Sequence, residues 1–170
     1  RMIKTSSLIN DFPSAFRYPR GSINTFDTKN YKEIEIGKGQ ILVEGKEIAI
    51  LNLGTRLETC LDACKVLKES NINPTVADAR FVKPLDTNLI DNLVENHKFL
   101  ITIEEGSIGG FASHVLNYVN NVKRKRSSTI IKNLFFPDKF IDHMNPEDQY
   151  KEVMMDVNSL VQKIMYLFDN

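Results

Sequence analysis

The sequence has little cysteine, little histidine and no excess charge of either sign, and each shortage closes off a class of function. Only two of its 170 residues are cysteine, Cys60 and Cys64. Two thiols cannot build a disulfide framework, and without further cysteines they lack the ligand set of a structural zinc site. They stand four apart in a helical pattern among apolar neighbours, so they are read as reduced core residues that pack as small hydrophobes. The three histidines, His97, His114 and His143, form no pair with metal-ligand spacing beside an acid. Lys+Arg and Asp+Glu number 22 each. Nothing global therefore attracts nucleic acid or an anionic membrane, and neither is expected as a partner. No apolar run is long enough to span a bilayer, and no charged-then-apolar leader opens the chain. A chain that begins at Arg1 is expected to be part of something longer.

What is present is an ordinary globular mixture, 42% hydrophobic and 26% charged, enough for one domain of usual size plus an appendage. Residues 1–9 read as the end of a helix and 15–18 as a short strand stopped by Pro19 and Gly21. Residues 22–38 are polar and without period, which puts a domain boundary near residue 40. Beyond it the pattern alternates. Strands are expected at 40–43, 47–53, 75–81, 99–103 and 129–136. Between them lie a helix opening at Thr55 with a Thr55/Glu58 capping box, one introduced by Pro84 and Asp86 that carries His97 on its apolar face, and one after Gly106, Gly109 and Gly110. Two more helices are expected at 146–154 and 157–168. Such βαβ alternation with apolar strands means α/β architecture, with a mainly parallel sheet covered by helices on both faces. Ligands of such sheets meet the carboxyl ends of the strands, which here carry Gly54, Asp78 to Arg80, Glu104-Glu105 and Pro137-Asp138.

The residues able to carry chemistry are few. Arg17 and Arg20 flank a strand end in Phe16-Arg17-Tyr18-Pro19-Arg20-Gly21. Guanidinium groups recognise phosphate bidentately, so this is a candidate anion site. Two surface ion-pair arginines would look the same. Glu104-Glu105 could share a proton or hold a metal, but helix-entry electrostatics, a subunit contact or a hydrogen bond to a neighbouring strand end is the favoured reading. Asp78 and Arg80 alternate on one strand and are expected to pair. The glycines at 106, 109 and 110 lack dinucleotide-fingerprint spacing and are read as room for close helix packing. Lys123-Arg124-Lys125-Arg126 is read as a solvated loop.

The arginine segment, preceded by Ala15, resembles a signature of the 1-deoxy-D-xylulose-5-phosphate synthases. So do Gly37-Lys38-Gly39, residues 49–55, Ala77-Asp78-Ala79-Arg80-Phe81-Val82-Lys83-Pro84-Leu85-Asp86, residues 102–111 and residues 134–141, in order and spacing from about Ser14 onward. The resemblance implies a transketolase-like thiamine-diphosphate enzyme that joins pyruvate to D-glyceraldehyde 3-phosphate with loss of carbon dioxide, using Mg²⁺, as a homodimer. It implies that residues 1–39 are the end of the pyrimidine-binding domain and its linker, and that residues 40–170 are a transketolase C-terminal domain. Arg20 matches the residue that binds the substrate phosphate, a positioning role, whereas Arg17 is read as a structural ion pair. The family's Gly-Asp-Gly…Asn motif for diphosphate and magnesium is not in this chain. The piece alone is therefore expected to bind no cofactor and to be inactive. The pathway implies a bacterial cytoplasm or a plastid-type organelle. Two rivals stand beside this reading: the C-terminal domain of a 2-oxo acid dehydrogenase β subunit, which would transfer to a lipoyl group, and a non-catalytic dimerisation module.

Overall fold

The computed structural model describes residues 1–19, 32–122 and 127–169. After a short helix α1 (Met2–Ser7), five strands alternate with helices: β1 (Gln40–Val43), β2 (Glu47–Leu53), α2 (Leu57–Glu69), β3 (Thr75–Asp78), α3 (Thr87–Asn96), β4 (His97–Glu104), α4 (Phe111–Asn117, continued by a wider turn Tyr118–Val122), β5 (Ile130–Leu134), α5 (Pro146–Glu152) and α6 (Val157–Asp169). The sheet runs β1-β3-β2-β4-β5, with β1 antiparallel to β3 and the other pairs parallel.

Alternation along the strands sorts the core into two layers. Ile48, Ile50, Val76, Phe99, Ile101 and Ile103 face α2 and α6, meeting Cys60, Cys64, Leu67, Leu160 and Ile164. Ala49, Leu51, Ala77 and Leu100 face α3 and α4, meeting Ile90, Leu93, Phe111 and Val115. The sheet is thus sandwiched between helices, as the apolar strands required. Both cysteines are buried and free, and burial pushes the Cys60 thiol up to about 12.

The structure departs from the sequence reading in four places. Residues 15–18 form no strand: they pair with no described strand, and an extended segment without a ladder partner is not a stable strand. β3 ends at Asp78, because Arg80 takes a left-handed conformation (φ 59°). His97 belongs to β4 rather than to the helix face. Its Nδ1 donates to the Leu93 carbonyl at 2.9 Å, so Nε2 accepts from the Thr75 hydroxyl at 2.7 Å. Lastly, α2 begins at Leu57 without a side-chain cap, since the Thr55 hydroxyl is directed to Glu105 instead. The cap at α3 is as read: Asp86 accepts from Leu89 N at 3.1 Å.

Candidate functional site

The direction of winding reverses at β2. From β2 the chain crosses by α2 to β3 on one side, then by α3 to β4 on the other. The crevice between the carboxyl ends of β2 and β4 is therefore the topological switch point, where ligands of open α/β sheets bind.

In this chain the crevice is closed by its own side chains. Glu104 ends β4 and Glu105 follows it, and alternation sends their side chains apart. Glu104 is buried, with its two oxygens accepting from Phe111 N at 2.9 Å and Ala112 N at 2.8 Å. It caps the start of α4, where backbone N–H groups otherwise lack partners and a negative charge is favoured. The carboxylate occupies the space beside two glycines: a Cβ on Gly106 would stand 2.7 Å from Glu104 Oε2, and one on Gly110 would be closer still. These glycines make room for a carboxylate rather than for helix packing in general.

Glu105 is half-buried and gathers three donors on one oxygen: the Thr55 hydroxyl, Arg56 Nε at 3.0 Å and the Tyr150 hydroxyl at 2.7 Å. The Arg56 guanidinium also lies 3.4 Å from the centre of the Tyr150 ring, a cation–π contact. Burial, with the Glu105 carboxylate adding to it, raises the Tyr150 pKa and keeps that phenol protonated. A loop after β2, a loop after β4 and helix α5 are thus joined at one carboxylate. Beneath them Asn52 is fully buried and donates to the Gly54 carbonyl at 2.9 Å, while its Oδ1 has no partner among the described residues. Asp78 and Arg80 do pair, at 3.8 Å, but through the turn rather than along a strand.

Apart from Asn52 Oδ1, the donors and acceptors named here are paired with one another, and these bonds hold the loops together. Among the described residues no group of three His, Cys, Asp or Glu could hold a metal ion. Arg20 and the basic run 123–126 lie outside the described residues. Arg17 is exposed, flanked in sequence by the stacked rings of Phe16 and Tyr18. Arg56 and Tyr150 were missed by sequence reasoning. Arg56 carried a signal, as it follows the glycine that ends a strand at the ligand end of the sheet. Tyr150 carried none.

A three-layer domain of this topology, with a closed switch crevice, defines the class. The family model for the transketolase C-terminal domain matches residues 37–160, and the chain belongs to that family. Among curated proteins, it is 43% identical over 169 residues to probable 1-deoxy-D-xylulose-5-phosphate synthase 2, chloroplastic, of Oryza sativa subsp. japonica, an alignment covering 98% of this chain and 24% of that protein. It is 45% identical over 152 residues to 1-deoxy-D-xylulose-5-phosphate synthase 1, chloroplastic, of Cannabis sativa, covering 88% of this chain and 21% of that protein. The chain thus spans under a quarter of these relatives' length. Among solved structures, it resembles a split-gene transketolase described as an inactive beta4 tetramer (TM-score 0.70, 26% identity, 79% of this chain and 43% of that one). A transketolase of Campylobacter jejuni (TM-score 0.56, 15% identity, 76% and 18%) shares the fold.

Proposed function

We propose that the chain is the C-terminal part of a 1-deoxy-D-xylulose-5-phosphate synthase. The whole protein would condense pyruvate with D-glyceraldehyde 3-phosphate, with loss of carbon dioxide, as a homodimer in a plastid-type organelle. The observation that supports this most is the 43% identity over 98% of the chain to a named synthase. Thiamine diphosphate supplies the carbanion chemistry in that enzyme class. Here it and Mg²⁺ are assigned to polypeptide outside these residues, and the chain alone is assigned no turnover. Residues 1–39 are taken as the end of the pyrimidine-binding domain and its linker, and 40–170 as the C-terminal domain. The role of this part is to hold loops at the sheet's carboxyl end, to contribute to assembly and, through Arg20, to position the substrate phosphate.

The test uses the longer parent protein with thiamine diphosphate and Mg²⁺, comparing wild type with Arg20→Ala while the two substrates are varied separately. Loss of a charge-assisted contact is expected to lower kcat/KM for the phosphorylated aldehyde by about tenfold to a hundredfold and to leave pyruvate little affected. An unchanged variant removes Arg20 from the site. A parent that makes no sugar phosphate removes the synthase reading.

A further inference from the structure

We propose that Ser128 is a phosphorylation site, read by a serine/threonine kinase that selects basic residues on the amino-terminal side of its acceptor hydroxyl. The proposal goes beyond the synthase reading and does not depend on it.

Three hydroxyl residues in a row, Ser127, Ser128 and Thr129, stand just before β5. The structure separates them. Ser127 Oγ donates to the Val94 carbonyl at 2.7 Å and lies 2.7 Å from Thr129 Oγ1. Thr129 Oγ1 contacts the Val94 carbonyl and, at 2.9 Å, the His97 carbonyl. These two hydroxyls pin the chain to the end of α3 and the start of β4. Ser128 between them is exposed, and no hydrogen bond ties its hydroxyl among the described residues. Residues 127–129 lie in neither helix nor strand, and β5 after them is the edge of the sheet. A hydroxyl free of internal bonds can be turned toward a nucleotide without breaking native contacts, and of the three only Ser128 meets that condition.

The sequence supplies the recognition. Arg126 stands two residues and Lys125 three residues before Ser128, with Arg124 and Lys123 ahead of them. Kinases choose their substrates by such charge patterns, through charge-assisted bonds between substrate cations and carboxylates beside the acceptor groove. In the transfer, Ser128 Oγ attacks the γ-phosphorus of a nucleoside triphosphate. The Oγ–P bond forms as the bond to the β-phosphate oxygen breaks, the nucleoside diphosphate leaves, and the hydroxyl proton passes to the kinase's catalytic carboxylate. The new group carries a charge of about −1.5 to −2 at neutral pH.

The surroundings of that charge are defined. Ser128 lines a cleft of about 400 Å³ together with His97, Lys98 and Glu95. Lys98 is the permanent cation of this lining, and its Nζ stands 5.0 Å from the Phe99 ring. Lys98 would attract the phosphate and Glu95 would oppose it. The cleft lies where β4 and β5 begin. Modification therefore changes the charge at the amino end of the sheet, opposite the loops that Glu105 gathers.

The test uses the full-length parent in two arms. In the first, the recombinant protein is incubated with the catalytic subunit of a cyclic-AMP-dependent protein kinase and magnesium ATP, and phosphopeptides are mapped by tandem mass spectrometry. The expected result is phosphate on Ser128, retained in Ser127→Ala, absent in Ser128→Ala, and formed at least about tenfold more slowly in Lys125→Gln/Arg126→Gln. Phosphate on Ser127 or Thr129 instead, no phosphate at all, or equal labelling of the neutralised variant overturns the proposal. In the second arm, the parent is isolated from the cells that make it and the same peptides are mapped. Phosphate on Ser128 is expected there, and finding that peptide only unmodified overturns the proposal whatever the first arm shows. Both readouts are masses and do not depend on turnover. A parent without synthase activity defeats the functional reading alone, whereas an active parent that fails either arm defeats this proposal alone.

Discussion

Glu104 and Glu105 are neighbours of identical chemistry, yet they do different work. Glu104 is buried and binds two backbone N–H groups within its own β–α unit. Glu105 is partly open and binds three side chains drawn from two other elements. The difference follows from strand geometry. At the end of β4 one side chain turns toward α4 and the next toward the loop after β2 and α5. The first completes a local structure, and the second joins distant ones. Loss of Glu104 should therefore be felt by the whole domain, and loss of Glu105 mainly by the loops that it gathers.

The largest effect should come from Glu104→Ala. It leaves two buried N–H groups at the start of α4 without partners, which costs about 3–5 kcal/mol when each charge-assisted bond and its desolvation are counted. Urea unfolding measures it, and a loss under about 1 kcal/mol would mean that α4 finds another cap. Gly110→Ala should follow, at about 1–3 kcal/mol, since its methyl group would collide with the Glu104 carboxylate. In the double variant Glu104→Ala/Gly110→Ala the second cost should largely vanish, because the obstacle is gone. Simple additivity would show that the glycine serves some other purpose.

Tyr150→Phe probes the other carboxylate. It removes one hydrogen bond from Glu105 and leaves the ring under Arg56, so the expected loss is about 1 kcal/mol. Hydrogen exchange should rise in residues 137–152 and not in the helices that cover the sheet. Uniform destabilisation would erase the distinction between the two glutamates.

The architecture was legible in the sequence because it rests on local periodicity. The alternation in β2 and β4 and the apolar stripe of α2 place each side chain on a face without reference to distant residues. The site was legible only in part. Glu104-Glu105 was visible as a pair at a strand end, but a sequence does not show that Thr55 gives up a helix cap to reach a carboxylate 50 residues away. Nor does it show that Tyr150 arrives from 45 residues on the other side. The same limit explains His97. The helical period runs into it smoothly, and only its bonds to Leu93 and Thr75 reveal the strand that begins there.

Asp78, the third carboxylate at this end of the sheet, sharpens the comparison with the smallest effect. It is only partly buried and has less support than Glu104: one backbone N–H, from Arg80 at 3.1 Å, and the Arg80 guanidinium at 3.8 Å. Burial raises its pKa, and the Arg80 N–H and charge only partly offset that rise. A carboxyl group whose folded pKa exceeds its unfolded value holds its proton more tightly in the native state. The stability it contributes is therefore fully present below the unfolded value, about 3.9, and is lost as pH rises through the folded value. Asp78→Asn removes this titration. The stability of wild type minus that of the variant, followed by urea midpoints across the acidic range, should fall as pH rises. If that difference grows with pH instead, the Arg80 pair outweighs burial, and Asp78 belongs with Glu104 as a carboxylate whose charge the fold supports.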